Sequence, residues 1–140
     1  MKAYVEHERI YFKSDKVNSL GYTDYDEELW EIIKDVKWHV KLSGKKKEKE
    51  YIHSSKLGYL HRVVMEYWYG RDTMKKANEQ NFVVDHLNNN GLDCRMSNLC
   101  FIPKNRNTAK GLTYDSKRQD MISEIALNIF KDFQTKKFQI

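Results

Sequence analysis

The sequence predicts an α+β fold, because segments with two different apolar periodicities alternate along its 140 residues. Apolar and polar residues alternate in 38–42, as in a half-buried strand, whereas apolar residues recur every three or four positions in 60–67, as in a helix packed on a core. A chain of this length can bury one modest core. We therefore predict a single domain over residues 1–140, with an N-terminal β/helix region at 1–80, a central motif at 81–111 and a C-terminal helical region at 112–140.

The first part of the chain predicts antiparallel strands around one helix. Residues 3–12 alternate loosely and indicate a short hairpin or two strands. Capping oxygens from Thr23, Asp24 and Asp26 precede a helix whose apolar face consists of residues at helical spacing, Leu29, Trp30, Ile33 and Val36. Residues 38–54 indicate a second hairpin, in which Ser43-Gly44 and a run of lysines separate the two strands.

The second part predicts a helix, two short strands and a final helix. The first helix begins near Leu60 and ends before Gly70, a residue type that commonly follows a helix, and the charged residues 71–80 indicate a loop or a frayed turn. Strands at 82–86 and 99–102 flank an Asn-rich turn that ends at Gly91 and suits positive φ. A short helix follows Pro103, and the amphipathic segment 117–133 predicts a helix that covers the core or joins two copies in a homodimer.

Composition excludes several classes of protein. An apolar fraction of 40% and a single proline do not fit a disordered or fibrous chain. No apolar run approaches the ~20 residues that span a bilayer, and the first residues lack the hydrophobic region of a signal peptide. We expect a soluble cytoplasmic protein without membrane contact. Cys94 and Cys100 are then expected as free thiols, and the lack of a Cys-x-x-Cys pair argues against structural zinc.

The distribution of charge says more than the net charge of +5. Five lysines cluster in 41–49, but Glu48 and Glu50 dilute them, so this run by itself favours an ordinary solvated surface. A second set follows the central motif with only Asp115 opposing it: Lys104, Arg106, Lys110, Lys117 and Arg118. Basic residues beside a hydrolytic motif suit a polyanionic substrate, because neutralising phosphates releases counterions.

Residues 83–107 carry the most informative pattern, VVDHLNNNGLDCRMSNLCFIPKNRN. An Asp85-His86 pair ends an apolar strand, Asn98 lies twelve residues further and Asn107 nine beyond that. This segment resembles the HNH endonuclease motif, a ββα-metal finger of small phage and homing enzymes, and the resemblance extends upstream through YLHRVVMEY to about residue 23. It departs from the usual pattern at Cys94, where Asn is common, and there we expect altered loop packing.

The resemblance implies a divalent-cation-dependent nuclease acting on double-stranded DNA in a bacterial or phage-infected cell, with one Mg²⁺ or Mn²⁺ ion per site. It implies that His86 is the general base, a role that suits histidine because its ordinary pKa lies near neutrality. Asp85 would be a metal ligand, since hard cations prefer carboxylate oxygens. Asn98, counted with the catalytic set, would brace the loop.

The second metal ligand implied by the resemblance is Asn107, which also belongs to the catalytic set. A shift of register would place Asn105 there instead, and both alternatives stay open. Arg62, Lys104, Arg106 and Lys110 are the expected DNA contacts, Arg62 because its planar fork matches phosphate oxygens. His61 could contact phosphate or pack structurally, and we favour packing.

Two other functions compete with a nuclease. A DNA-binding module could keep the finger as a scaffold without catalysis. A structural or adaptor protein could use segment 117–133 to oligomerise. The first would bind DNA regardless of His86 and of chelators, whereas the second rests only on one apolar face. The Asp85, His86 and Asn107 set favours the enzyme, because a binding module needs no base beside a carboxylate.

Overall fold

The computed structural model describes residues 1–15 and 18–104. The expected short helix after Pro103, the 117–133 helix and any homodimer through it lie outside these residues. Two compact units are distinguished: a first unit of Met1–Val64 with His86–Leu99, and a second unit of Met65–Asp85 with the segment that begins at Cys100. Within the described residues the structure is α+β, as predicted, with small sheets and short helices. None of the described helices has the length and apolar character needed to cross a membrane.

An antiparallel N-terminal sheet opens the first unit. Its strands are β1 (Lys2–Glu6), β2 (Arg9–Lys13) and β3 (Leu20–Asp24), in that spatial order. The hairpin predicted at 3–12 is therefore confirmed, with positive φ at His7 and Glu8 in its tight turn. The third strand was not predicted, because Thr23 and Asp24 were expected to cap a helix. They belong to β3 instead, and their side chains bind a loop described below.

Helix α1 (Glu27–Ile33) begins where the sequence predicts a cap. The side chain of Asp26 accepts hydrogen bonds from the amides of Glu28 and Leu29, which satisfies donors that have no partner inside the helix. The helix buries Leu29 and Ile33. Beyond its end, Trp38 packs edge to face on Phe12 with ring centroids 5.7 Å apart, and its indole nitrogen donates to the carbonyl of Ile33. These side chains form the core of the first unit.

The middle sheet consists of β4 (His39–Ser43), β5 (Lys49–Ser54) and β6 (Gly58–Tyr59). All neighbouring strands are antiparallel, so the hairpin predicted at 38–54 is confirmed, and β6 was not predicted. Ile52 is fully buried and lies against β3 of the N-terminal sheet: a Cβ added at Gly21 would fall 2.1 Å from its Cδ1 atom. Gly21 therefore permits the close approach of the two sheets.

Helix α2 (Leu60–Tyr69) follows β6 directly and ends before Gly70, as predicted, where φ is +92°. The next segment was predicted wrongly. Residues 71–80 were expected to form a loop, but Arg71–Glu79 form helix α3. Helix α3 is mostly polar and buries only a narrow stripe of three residues at helical spacing, Thr73, Met74 and Ala77. Such a stripe is too short to produce a clear periodic signal in the sequence.

The two strands predicted for the central motif are present as β7 (Phe82–His86) and β8 (Leu99–Pro103), which pair with each other. Within the second unit, the amide of Lys104 donates to the carbonyl of Asn81, and the rings of Tyr69 and Phe101 lie 6.0 Å apart. Most of β8 is buried, which explains its continuous apolar sequence. The loop between the strands starts immediately after His86.

Candidate active site

The side chain of His86 is enclosed at the end of β7. It is 4% exposed, and Asp85 before it is 9% exposed. The ring of His61, from the first turn of α2, stands nearly perpendicular to that of His86 with centroids 4.9 Å apart. The ring of Tyr51 from β5 lies 5.7 Å away. Strand β5 and the first turn of α2, both earlier in the chain, thus restrict rotation of the His86 imidazole.

The thiol of Cys94 closes another side of this histidine. Its Sγ atom lies 3.9 Å from Nε2 of His86, and Cys94 is fully buried. Burial, followed by the charge of Asp93, raises the pKa of the thiol, so Cys94 stays protonated and inert near neutral pH. Sequence reasoning expected Cys94 to alter loop packing, but missed its contact with the imidazole. The one sequence feature that pointed to this contact was the presence of Cys at position 94, where the motif usually has Asn.

His61 is a neutral neighbour of His86. Burial first, then the nearby His86 and Arg62, lower the pKa of His61 to about 3. Its Nδ1 atom is buried and has no hydrogen-bond partner among the described residues. The expectation that His61 packs rather than binds phosphate agrees with these contacts. Its position directly against the expected base was not foreseen, because the two histidines are 25 positions apart in the chain.

Asn98 binds the loop that connects β7 with β8. Its Oδ1 atom accepts from the amide of Asn88 at 3.0 Å, and its Nδ2 atom donates to Oδ1 of Asn88 and to the carbonyl of Asp93, both at 2.9 Å. Its own carbonyl accepts from the amide of Leu87. Asn98 is 4% exposed, and its bond to the carbonyl of Asp93 is buried, whereas its bonds to the exposed Asn88 are partly buried. The side chain thus spans the loop from its start to its end.

An ion pair forms inside the same loop between the buried Asp93 and the partly exposed Arg95. The carboxylate of Asp93 is fully buried. It accepts hydrogen bonds from Nε and Nη2 of Arg95 at 2.8 and 2.7 Å and from the side-chain amide of Asn88 at 2.9 Å. Burial alone would raise the pKa of Asp93, but the hydrogen bonds and charge of Arg95 hold it below its usual value. Neither residue was predicted, although an acid and an arginine two residues apart were a visible signal.

The loop is attached to strand β3 by main-chain and side-chain bonds. The amide of Tyr22 donates to the carbonyl of Leu92, and the amide of Cys94 donates to the carbonyl of Tyr22. Thr23 Oγ1 donates to the carbonyl of Cys94 at 2.7 Å, and Asp24 accepts from the amide of Met96 at 2.9 Å. The N-terminal sheet therefore holds the segment that carries Cys94 against His86.

Gly91 permits a close contact between this loop and β5. A Cβ atom added there would lie 2.2 Å from the carbonyl oxygen of Glu50 and 2.6 Å from the ring of Tyr51. The positive φ expected in the Asn-rich turn occurs at Asn89, at +62°, and not at Gly91. Glycine is required at position 91 because of this approach, not because of backbone conformation.

The expected metal site is described only in part. Asp85 supplies one hard oxygen donor, which fits Mg²⁺ or Mn²⁺ by its chemistry, while Asn105 and Asn107 lie outside the described residues. Within 1–15 and 18–104, no three His, Cys, Asp or Glu side chains gather as a metal cluster would require. A site with one carboxylate and one asparagine ligand would not produce such a cluster.

The expected DNA contacts are also described in part. Arg62 is exposed on α2 in the first unit, and Lys104 is exposed at the end of β8 in the second unit. Arg106 and Lys110 lie outside the described residues. The positions of Arg62 and Lys104 leave their charges available to solvent and to an anionic ligand.

Comparison with known proteins agrees with the resemblance found in the sequence. Residues 58–109 match the family model described as HNH endonuclease, a range that includes α2, His61, the β7–loop–β8 segment and the expected ligands. Residues 23–57, where the resemblance was also expected, lie outside the matched range. No curated protein and no solved structure matches the chain.

Proposed function

We propose, from the match of residues 58–109 to the HNH endonuclease family model, that the chain is a metal-dependent endonuclease hydrolysing phosphodiester bonds of double-stranded DNA. The observation that carries the proposal is the enclosure of His86 at the end of β7, directly after Asp85, by His61, Tyr51 and Cys94. A surface histidine without a role would not require contacts from three separate elements.

In the proposed reaction, His86 accepts a proton from the attacking water while its ring is held by these neighbours. A bound Mg²⁺ or Mn²⁺ ion would neutralise charge on the scissile phosphate and on the leaving oxygen. Asp85 would hold the ion together with Asn107, or with Asn105 if the register differs. Preorganisation of this kind accelerates a reaction because no group must be reoriented at the transition state.

Asn98 supports this chemistry at a distance from the reacting atoms. Its bonds to Asn88 and to the carbonyl of Asp93 hold the loop closed, and the loop presents Cys94 to His86. We place Asn98 among the residues required for activity as a positioning residue, not as a group that touches the phosphate. Arg62, Lys104, Arg106 and Lys110 are proposed to bind the DNA backbone.

The experiment uses supercoiled plasmid incubated with the purified protein and Mg²⁺ or Mn²⁺. Wild type should give nicked or linear product, EDTA should stop the reaction, and His86→Ala should abolish it. His7→Asn is a matched control, because His7 lies exposed in the β1–β2 turn with positive φ, which Asn tolerates. This control should cleave like wild type.

The competing function, DNA binding without catalysis, has a distinct result in the same experiment. If DNA is bound but never cut, and neither EDTA nor His86→Ala changes binding, the enzyme assignment is wrong. A phage-borne or homing role and a cytoplasmic location, both expected from the sequence, stay predictions. Mapping the cleaved strand and its sequence would address the first.

A further inference from the structure

One face of the middle sheet carries rings and lysines together. Residues directly opposite each other in antiparallel strands point to the same side of a sheet, and the register pairs His39 with His53 and Lys41 with Tyr51. We call this side the outer face; its members are His39, Lys41, Lys49, Tyr51, His53 and Tyr59. The opposite side carries Val40, Leu42, Glu50, Ile52 and Ser54. Two strands thus separate a basic, ring-bearing face from the side that contains buried Ile52.

The rings of the outer face form a continuous series that ends at His86. The rings of His39 and His53 have centroids 5.1 Å apart, and His53 lies 4.9 Å from Tyr59. Tyr59 lies 5.2 Å from His61, which is itself 4.9 Å from His86. The series therefore connects an exposed position on β4 with the enclosed base.

Among the described residues, the lysines beside these rings form no ion pair with the glutamates that dilute them in the sequence. All five, Lys41, Lys45, Lys46, Lys47 and Lys49, are exposed, and among the described residues no ion pair involves them. Glu48 accepts from the amide of Lys46 and lies against Gly44, and Glu50 accepts from Ser19 on the opposite side. The sequence favoured an ordinary solvated surface for this run. In the structure Glu50 lies on the opposite side of the sheet, whereas Glu48 stays in the turn, where its carboxylate accepts from the main chain.

We propose that the outer face and the β4–β5 turn, which carries Lys45, Lys46 and Lys47, bind the phosphate backbone of duplex DNA next to the bond that is cut; this inference rests on the proposed function. Charge complementarity selects the ligand, since exposed lysines without an ion-pair partner attract a polyanion; Lys41 is held over the ring of Tyr59, 5.3 Å from its centroid. The arrangement of the rings on the outer face favours contact with the DNA phosphate backbone over stacking on DNA bases. His53, Tyr59 and His61 already cover one another edge to face or stacked, so they offer ring edges and polar atoms instead of free stacking surfaces.

Binding to a fluorescent DNA duplex tests the proposal, measured by anisotropy at several salt concentrations in the inactive His86→Ala background. The double variant Lys41→Gln/Lys49→Gln should weaken binding and reduce the slope of log K against log salt by about 2, since each phosphate contact contributes about 0.9. Lys2→Gln/Lys13→Gln is the matched control, because these exposed lysines also face each other across two strands. It removes the same charge elsewhere and should leave the slope unchanged.

Several results would overturn the assignment. Equal losses in both double variants would mean that only net charge matters. Unchanged binding in both, or tighter binding of a single strand of the same length, would remove duplex backbone as the ligand of this face. Plasmid cleavage in the wild-type His86 background separates the two proposals. If face variants bind and cleave normally, only this inference fails; if the unmodified chain neither binds nor cleaves DNA, both fail.

Discussion

His61 stands edge to face against His86, with ring centroids 4.9 Å apart and planes at 76°. The first turn of α2 therefore supports the histidine that the central motif presents at the end of β7. The proposed base depends in this way on a residue outside the strand–loop–strand segment. The matched family range begins early enough to include both histidines.

The first prediction concerns stability against pH. His61 has a pKa of about 3 in the folded protein, whereas an unfolded histidine titrates near 6.5. The unfolded state therefore binds a proton first, and stability should fall as the pH drops from about 6.5 towards 3, by at most about 1.4 kcal/mol per pH unit from this residue. The groups facing His61 are His86, Tyr51, Tyr59 and Arg62.

Urea unfolding at pH 7, 6 and 5 and constant ionic strength measures this slope. His61→Phe and His61→Gln should both flatten it, whatever their stability at pH 7, because neither side chain takes up a proton. His7→Asn should keep the wild-type slope. Identical slopes in all four proteins would show that His61 does not contribute.

Asn98→Ala should loosen the loop between β7 and β8. The variant removes three hydrogen bonds and leaves the amide of Asn88 and the carbonyl of Asp93 without these partners. The buried carbonyl of Asp93, left unsatisfied, costs about 1–3 kcal/mol, so the melting temperature should fall and cleavage should decrease with it. Asn78→Ala, at an exposed position of α3, is the control. Equal melting temperatures for the two variants would contradict the bracing role.

Gly91→Ala should disturb the contact between the loop and β5. The added methyl group meets the main chain of Glu50 at 2.2 Å, and a backbone atom cannot rotate away. Overpacking of this kind costs about 1–3 kcal/mol. Gly58→Ala separates steric clash from backbone strain, because Gly58 has φ of +84° but nothing within 4 Å of its added Cβ.

Chemical denaturation of both glycine variants provides the comparison. Gly58→Ala should lose about 1–2 kcal/mol from its left-handed conformation alone. Gly91→Ala should lose more and should also lower plasmid cleavage, since the displaced loop carries Cys94. A Gly91→Ala protein as stable and active as wild type would show that the approach to β5 is not required.

Arg95→Ala should destabilise the protein by leaving the buried carboxylate of Asp93 without its strongest partner. Hydrogen bonds to charged groups contribute about 1.5–3 kcal/mol, so we expect a loss of about 2 kcal/mol. Arg71→Ala is the comparison, because its pair with Glu66 is exposed on both sides and should contribute at most about 1 kcal/mol. Unfolding free energies measured by urea titration at pH 7 test the difference. Similar losses in the two variants would rule out a special role for the Asp93–Arg95 pair.

Local patterns were sufficient where an element depends on its own residues. The β1–β2 and β4–β5 hairpins, the Asp26 cap and the end of α2 before Gly70 were all predicted. Helix α3 and strand β3 were missed because their placement depends on partners elsewhere in the chain. Thr23 and Asp24 illustrate the reason: their oxygens suit a cap, but the loop after His86 provides other donors and acceptors.

The sequence by itself determined the match to the HNH family model over residues 58–109, and the spacing from Asp85 and His86 to Asn98 and Asn107 predicted the chemistry of the candidate site. Only the tertiary structure decided what surrounds His86. His61, Tyr51 and Cys94 come from a helix, a strand and a loop, and their contacts arise from packing between distant segments. The same packing placed Glu50 on the side of the middle sheet opposite Lys41 and Lys49. Sequence spacing records neighbours along the chain, whereas burial and ring contacts depend on which segments meet in space.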